Sequence, residues 1–414
     1  MADLTQLVII WACVYMAGIA ANRTKLTPVL FFLFFGSLMV NLGVIPLQSS
    51  PFIRTFGELG IIVVMFALGF EENSQQFVEG IKRAWGIAFF GALAPFITAY
   101  TIADFFWNDS NLSIMFALTM TATAVSLTMV SLKSEGLQST AAARGIMTSA
   151  VLDDIASLVM VAILVPLASG QADISIMAVF VIIVKVLIFF AIVSFVGIWL
   201  FPHADTGWFA KVPWLGRFSF SGVLGFGEGE QTTLTLLFLA VMTGIVAHQF
   251  GFHPAVGAYM AGLVLREEYF HLETGTAQSH YEATKNIIDN MAFSWLGPIF
   301  FVGLGAKLVI DWDILLAVLP HTLILVFGIL ISQVVSAGLA ARYTAGFDFK
   351  DSLLIGFGML GRAELAFVVI DIAYTQHNIL TTEAFYTLMI GAFWLNLAVP
   401  VSIALWKRRY GTPM

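Results

Sequence analysis

The chain has 414 residues, of which 59% are apolar, 38 are phenylalanine and only 11% are charged. Soluble proteins carry about 25% charged residues, so the composition excludes a soluble enzyme, and a net charge of −7 without a basic stripe excludes a nucleic-acid partner. The single cysteine, Cys13, excludes an internal disulfide, and no Cys/His group has metal-ligand spacing.

Apolar runs of roughly 20 residues recur from end to end, each able to cross a ~30 Å hydrocarbon layer as a helix. The short alternating segments of a membrane barrel are absent, so an all-α membrane protein is expected. Breaks at charged, Pro and Gly clusters delimit thirteen transmembrane spans: 4–21, 27–45, 57–70, 86–106, 112–129, 145–167, 174–200, 233–250, 254–265, 291–310, 314–341, 352–376 and 383–406. The first run has neither a basic lead nor a cleavage site and is expected to be retained. With the N-terminus outside, the basic loop residues from Arg23 and Lys25 through Arg144, Arg266 and Lys350 to Lys407-Arg408-Arg409 fall on the cytoplasmic side, as the positive-inside rule requires. The loops after the fourth, sixth, eighth, tenth and twelfth spans carry no Lys or Arg. The C-terminus is therefore expected inside, with the protein in a bacterial inner (plasma) membrane.

Thirteen spans divide as six, one and six. Spans 1–6 and 8–13 then form six-helix inverted repeats, with the seventh as linker. The stretches 201–232 and 267–290 are expected to be interfacial segments.

The sixth span, GIMTSAVLDDIASLVMVAILVPL, places Asp153 and Asp154 eight and nine residues past Gly145, about 13 Å along a helix rising ~1.5 Å per residue. Charged groups near the midplane are costly and mark ion pathways. Two adjacent carboxylates repel when both ionise, so each is expected to hold a proton or a cation, but not both. The alternative is a structural pair bound to neighbouring helices. In the fifth span, TMTATAVSLTMVS carries Thr119, Thr121, Thr123, Ser126 and Thr128. This hydroxyl-rich stretch suggests a broken helix whose oxygens suit a hard monovalent cation; the alternative is ordinary back-bonding to the helix. In the twelfth, Gly356, Gly358 and Gly361 precede Arg362 and Glu364. Those glycines would let the helix unwind, giving two crossing interrupted helices. Arg362 is expected to neutralise Glu364 or another core carboxylate. Glu58 is read as opening the third span, Lys307 as lying beside Asp311 at the outer end of the tenth, and Lys185 and Asp371 as snorkelling or paired. His248 and His253 flank a short outer turn and are read as interfacial.

The segments GELGIIVVMFALGFE, TMTATAVSLTMVSLKSEGL, VLDDIASLVMVAILVP, FGFHPAVGAYMAGLVL, GPIFFVGLGAKL and GRAELAFVVID occur in the order found in the monovalent cation/proton antiporter-2 family. The chain resembles its NapA/GerN-like Na⁺/H⁺ exchangers, which carry the Asp-Asp pair. The resemblance implies an antiporter fold of NhaA/NapA type and a homodimer in the bilayer. It also implies a division into a dimerisation domain (1–85 and 233–313), a mobile core (86–170 and 314–414) and a linker (171–232). It implies Asp154 as principal cation and proton ligand, Asp153 beside it, and Thr123 contributing from the broken helix, with Gln333, Arg362, Glu364, Ser126 and Thr121 as supporting polar core. Electrogenic members carry a lysine nine residues before the Arg that ends the eleventh span; counting back from Arg342, this chain has Gln333. Without that lysine, electroneutral exchange is expected, with Gln333 hydrogen-bonding Asp153.

The expected mechanism is exchange of Na⁺ (or K⁺ or Li⁺) for H⁺ by competition at the buried Asp pair, with alternating access and no cofactor. A K⁺/H⁺ antiporter, a cation channel and a sodium-coupled solute symporter remain open on the residues alone.

Overall fold

The computed structural model describes residues 2–24, 26–71, 74–170, 176–195, 224, 231–270, 277–362 and 364–410. At residues 2, 74–83, 125, 126, 176, 178, 179, 194, 268 and 277–279 it describes the backbone alone. The expected interfacial segment 201–232 and most of the 171–232 linker fall outside these residues, as does the side chain of Ser126.

Among the described residues every regular element is helical. In chain order they are α1 (Ala2–Thr24), α2 (Pro28–Asn41), α3 (Pro51–Glu71), α4 (Ser74–Trp107), α5 (Ser110–Thr119), α6 (Val125–Ser134), α7 (Ala141–Ala168), α8 (Ile176–Phe195), α9 (Thr232–Gln249), α10 (Pro254–Leu263), α11 (Ala277–Asn290), α12 (Gly297–Gly305), α13 (Trp312–Tyr343), α14 (Phe349–Gly358), α15 (Glu364–Asp371) and α16 (Thr382–Tyr410). Among the described residues eight helices, counting α11 and α12 as one through the wide turn Met291–Trp295, are long and apolar enough to cross a membrane, and three apolar stretches of helix are shorter.

Several expected boundaries move, and two of the shifts bear on polar residues. The third span begins at Pro51, where the missing N–H of proline is no loss. Glu58 therefore lies inside α3, paired with Arg54 at 3.2 Å, and does not open it. The tenth span, expected from 291, runs from His280 to Gly305, because the wide turn keeps the helix continuous through Met291–Trp295. Half of the stretch expected at the interface thus belongs to a span.

The chain forms two compact units. The first comprises Met1–Gln48, Gln76–Asp173 and Phe301–Met414; the second comprises Ser49–Gln75 and Ile174–Phe300. In the second, α10 packs against α3 and α9. Glycine permits the α3–α10 approach: a Cβ on Gly69 would lie 2.1 Å from the Tyr259 carbonyl oxygen, the small-residue contact typical of helices in lipid.

In the first unit α13 packs against α14 and α16, α5 and α6 against α7, and α15 against α5. Asp311 caps α13 by accepting from the amides of Asp313 and Ile314. Along α13, Leu323, Phe327, Ile331, Val335 and Leu339 form an exposed apolar stripe. Val318, Thr322, Leu325, Ile329, Gln333 and Ala337 form the buried one. Outward apolar surface on this scale is what a helix in hydrocarbon presents, and the buried stripe carries Gln333 inward.

Candidate functional site

The fifth and twelfth spans are each interrupted. α5 ends at Thr119, residues 122–124 are non-helical with Ala124 extended, and α6 starts at Val125. α14 ends at Gly358 and α15 starts at Glu364. The two interruptions meet: the Ala124 amide donates to the Gly361 carbonyl at 2.9 Å, and Thr128 Oγ1 donates to the Gly358 carbonyl at 2.7 Å. Gly361 is required there, since a Cβ would lie 2.9 Å from Ala124 Cβ and 3.4 Å from Asn396 Oδ1.

Non-helical backbone at membrane depth must find partners inside the protein, and here it does. Asp153 on α7 accepts at Oδ2 from both the Thr123 amide (3.1 Å) and Thr123 Oγ1 (2.8 Å). Asn396 on α16 accepts the Arg362 amide at Oδ1 (2.7 Å) and donates from Nδ2 to the Arg362 carbonyl. Arg362 Nη1 donates to the carbonyls of Met359, Leu360 and Gly361 at 3.1, 3.4 and 2.9 Å. Its Nη2 donates to Gln333 Oε1 at 2.7 Å.

The charges match the helix ends they face. Asp153 meets the amides that lead into α6, Arg362 sits on the carbonyls that end α14, and buried Glu364 is the first residue of α15. Asp153, Gln333 and Arg362 are fully buried. Arg362 acts electrostatically on Asp153. Asp154, the next residue on α7, is half-buried.

The structure thus brings together Asp153, Thr123, Arg362 and Gln333. Thr123 bonds Asp153, the first of the two carboxylates. Gln333, expected on Asp153, spends its Oε1 on Arg362. Thr121 is buried but its hydroxyl donates to the Ala117 carbonyl within α5. Lys307 pairs with Asp371 at 3.5 Å and donates to Thr375, a contact that the expected place beside Asp311 did not suggest. His253 caps α10, its Nδ1 accepting from the Ala255 amide at 3.2 Å. Sequence reasoning missed Asn396; the available signal was one carboxamide inside the apolar run 383–406.

A fully buried carboxylate beside a fixed cation, with oxygens and helix ends converging on one point, can hold a small cation or a proton in turn. The chain is similar to proteins of known class. The chain is 27% identical to the probable Na⁺/H⁺ antiporter GerT of Bacillus cereus, over 93% of this chain and 94% of that one. It is 23% identical to the Na⁺/H⁺-K⁺ antiporter GerN of the same organism, over 88% and 87%. It is 20% identical to a Na⁺/H⁺ antiporter of Enterococcus hirae, over 94% of each. The fold resembles that of the sodium proton antiporter MjNhaP1 of Methanocaldococcus jannaschii, with a TM-score of 0.72 and 16% identity over 98% of this chain and 99% of that one. The family described as "Sodium/hydrogen exchanger, transmembrane" matches residues 8–405, and the chain belongs to it.

Proposed function

We propose that the chain is a secondary antiporter exchanging Na⁺ for H⁺ by alternating access, with the cation and the proton competing at Asp154 and Asp153. The observation that carries this is Asp153, fully buried where two interrupted helices cross and held by the amide and hydroxyl of Thr123. An empty, uncompensated double anion crosses a low-dielectric seal at high cost. Only the site neutralised by a proton or a cation moves, and exchange follows.

Arg362 gives the two carboxylates different tasks in this reading. A guanidinium keeps its proton, so Arg362 balances Asp153 permanently. The pair then trades one proton for one monovalent cation, with Asp154 as the principal ligand, and exchange is electroneutral. The core segments 86–170 and 314–414 lie within the first compact unit, which also takes in residues 1–48 and 301–313 of the expected dimerisation domain; the homodimer rests on the family resemblance. The placement of Lys and Arg supports an N-terminus outside and a cytoplasmic C-terminus in a bacterial inner membrane. Thirteen spans in six-helix inverted repeats fit the paired interruptions of α5–α6 and α14–α15.

The test is purified protein in proteoliposomes carrying an internal pH dye. Na⁺-induced proton flux should vanish in Asp154→Asn and in Asp153→Asn, and wild-type rates should be the same with the membrane potential clamped at zero or left free. Normal exchange by Asp154→Asn would remove the proposal. Similarity to the Na⁺/H⁺-K⁺ antiporter GerN favours a second cargo, K⁺, and replacing Na⁺ by K⁺ in the same assay measures it.

A further inference from the structure

Many hydroxyls in the helices around the site bond back to the carbonyl one turn earlier, although buried Thr322 on α13 and Ser352 on α14 have no hydrogen-bond partner among the described residues. Thr119, Thr121, Thr128, Ser131 and Thr148 make that bond at 2.9–3.1 Å. On α7, Ser149 and Ser157 do not. They are 0% and 1% exposed, and neither Oγ has a hydrogen-bond partner among the described residues. They stand four residues before and four after Asp153, on the same face of the helix. Asp153 Oδ1, the oxygen that Thr123 leaves alone, is buried and equally without a partner among those residues. The Arg362–Gln333 pair contributes two further atoms of this kind, Arg362 Nε and Gln333 Nε2.

Burying a hydroxyl without a partner is unfavourable, and native proteins relieve it with bound water. Side chains one helical turn apart have Cβ atoms about 5–6 Å from each other. That spacing is long for a serine and a carboxylate to grip one bare ion, and suits a single water between them. We propose that Ser149 and Ser157 are positioning residues for the transported cation, each holding water against Asp153 Oδ1 so that α7 supplies part of the ion's hydration shell. The inference rests on the cation-exchange reading above.

The experiment measures the KM for Na⁺ at alkaline pH, where protons compete least, in proteoliposomes. Ser149→Ala and Ser157→Ala should each raise it about tenfold, the equivalent of one lost hydrogen bond to the ion's shell, with maximal rate nearly unchanged. The proton's competition constant, taken from the pH dependence of KM, should not move. A packing role would lower the Tm and the maximal rate and leave the Na⁺ KM alone. Thr148→Ala and Ser131→Ala, whose hydroxyls bond their own helices, should keep the wild-type KM; an equal rise in them would overturn the proposal. The Na⁺-dependent rise in Tm of detergent-purified protein gives a second readout through binding linkage. The double serine variant should need about a hundredfold more Na⁺ for the same shift if the two sites add. A wild-type KM and a wild-type Na⁺-dependent Tm shift in that variant would overturn the proposal and leave antiport standing. A wild-type protein that exchanges no Na⁺ would sink the reading beneath it instead.

Discussion

Asn396→Ala removes the clamp that holds the second interruption in place. Asn396 is fully buried, and its carboxamide satisfies both backbone groups of Arg362, accepting the amide at 2.7 Å and donating to the carbonyl. Residues 359–362 have no helix to supply those bonds. Alanine would leave one buried donor and one buried acceptor unpaired, each at about 1–3 kcal/mol, or about 2–6 kcal/mol together. The strain falls at the peptide that receives the Ala124 amide and that leads into Arg362, whose guanidinium rests on Gln333 and the carbonyls of 359–361. If only ~2 kcal/mol of it opposes the exchange-competent arrangement, kcat/KM falls about 30-fold. The assay is Na⁺-dependent proton flux in proteoliposomes, with Tm in detergent measured in parallel. Asn396→Asp keeps the acceptor for the Arg362 amide but turns an oxygen toward the Arg362 carbonyl, and should be no better than alanine. Wild-type flux and wild-type Tm in Asn396→Ala would refute the reasoning, because the two bonds would then carry nothing.

Gly361→Ala forces a Cβ to within 2.9 Å of Ala124 Cβ; the Ala124–Gly361 bond should break, and flux should fall about tenfold or more for a loss of ~1.4 kcal/mol. Thr123→Val removes the 2.8 Å hydroxyl bond to Asp153 and keeps the amide bond. Bonds to charged groups contribute about 1.5–3 kcal/mol, so kcat/KM for Na⁺ should drop at least about tenfold; unchanged kinetics would show that the hydroxyl is idle. Lys307→Gln breaks a pair whose side chains are 26% and 15% exposed, worth about 1 kcal/mol. Exchange should survive with a slightly lower Tm, and complete loss of flux would show that Lys307 supplies the site's cation.

How much of this was legible in the sequence depends on what each residue must satisfy. Asp153-Asp154 and Arg362 announced themselves because a charge inside an apolar run has few structural uses. The interruptions were legible from composition: hydroxyl-rich 119–128 and the glycines before Arg362. Partner choice was not. Whether Gln333 would reach Asp153 or Arg362 depends on which face of α13 meets the second break, and one-dimensional spacing from Arg342 does not contain that. Asn396 escaped notice because a neutral amide in a span has ordinary uses, and its importance comes from two backbone groups 34 residues away in the chain. The start of the tenth span was missed for a similar reason. His280, Glu282, Lys285 and Asp289 look interfacial, yet Lys285 pairs with Glu71 at 3.8 Å, a contact invisible along the chain.

A carboxamide at the position where the resemblance implies a lysine in electrogenic members makes sense once Arg362 is placed. A lysine at 333 would bring a second cation to a guanidinium already resting on three carbonyls at the end of α14, and like charges in a buried site repel strongly. Gln333 instead offers an acceptor, 2.7 Å from Nη2, that fixes the guanidinium without adding charge. The helix end, the arginine and the glutamine therefore form one device that holds a positive charge still, within electrostatic reach of Asp153. A lysine can release its proton when buried, whereas an arginine holds it. In the proposed exchange, with that charge immobile and permanently protonated, the proton count of a transport cycle would reduce to whatever the acidic pair itself exchanges.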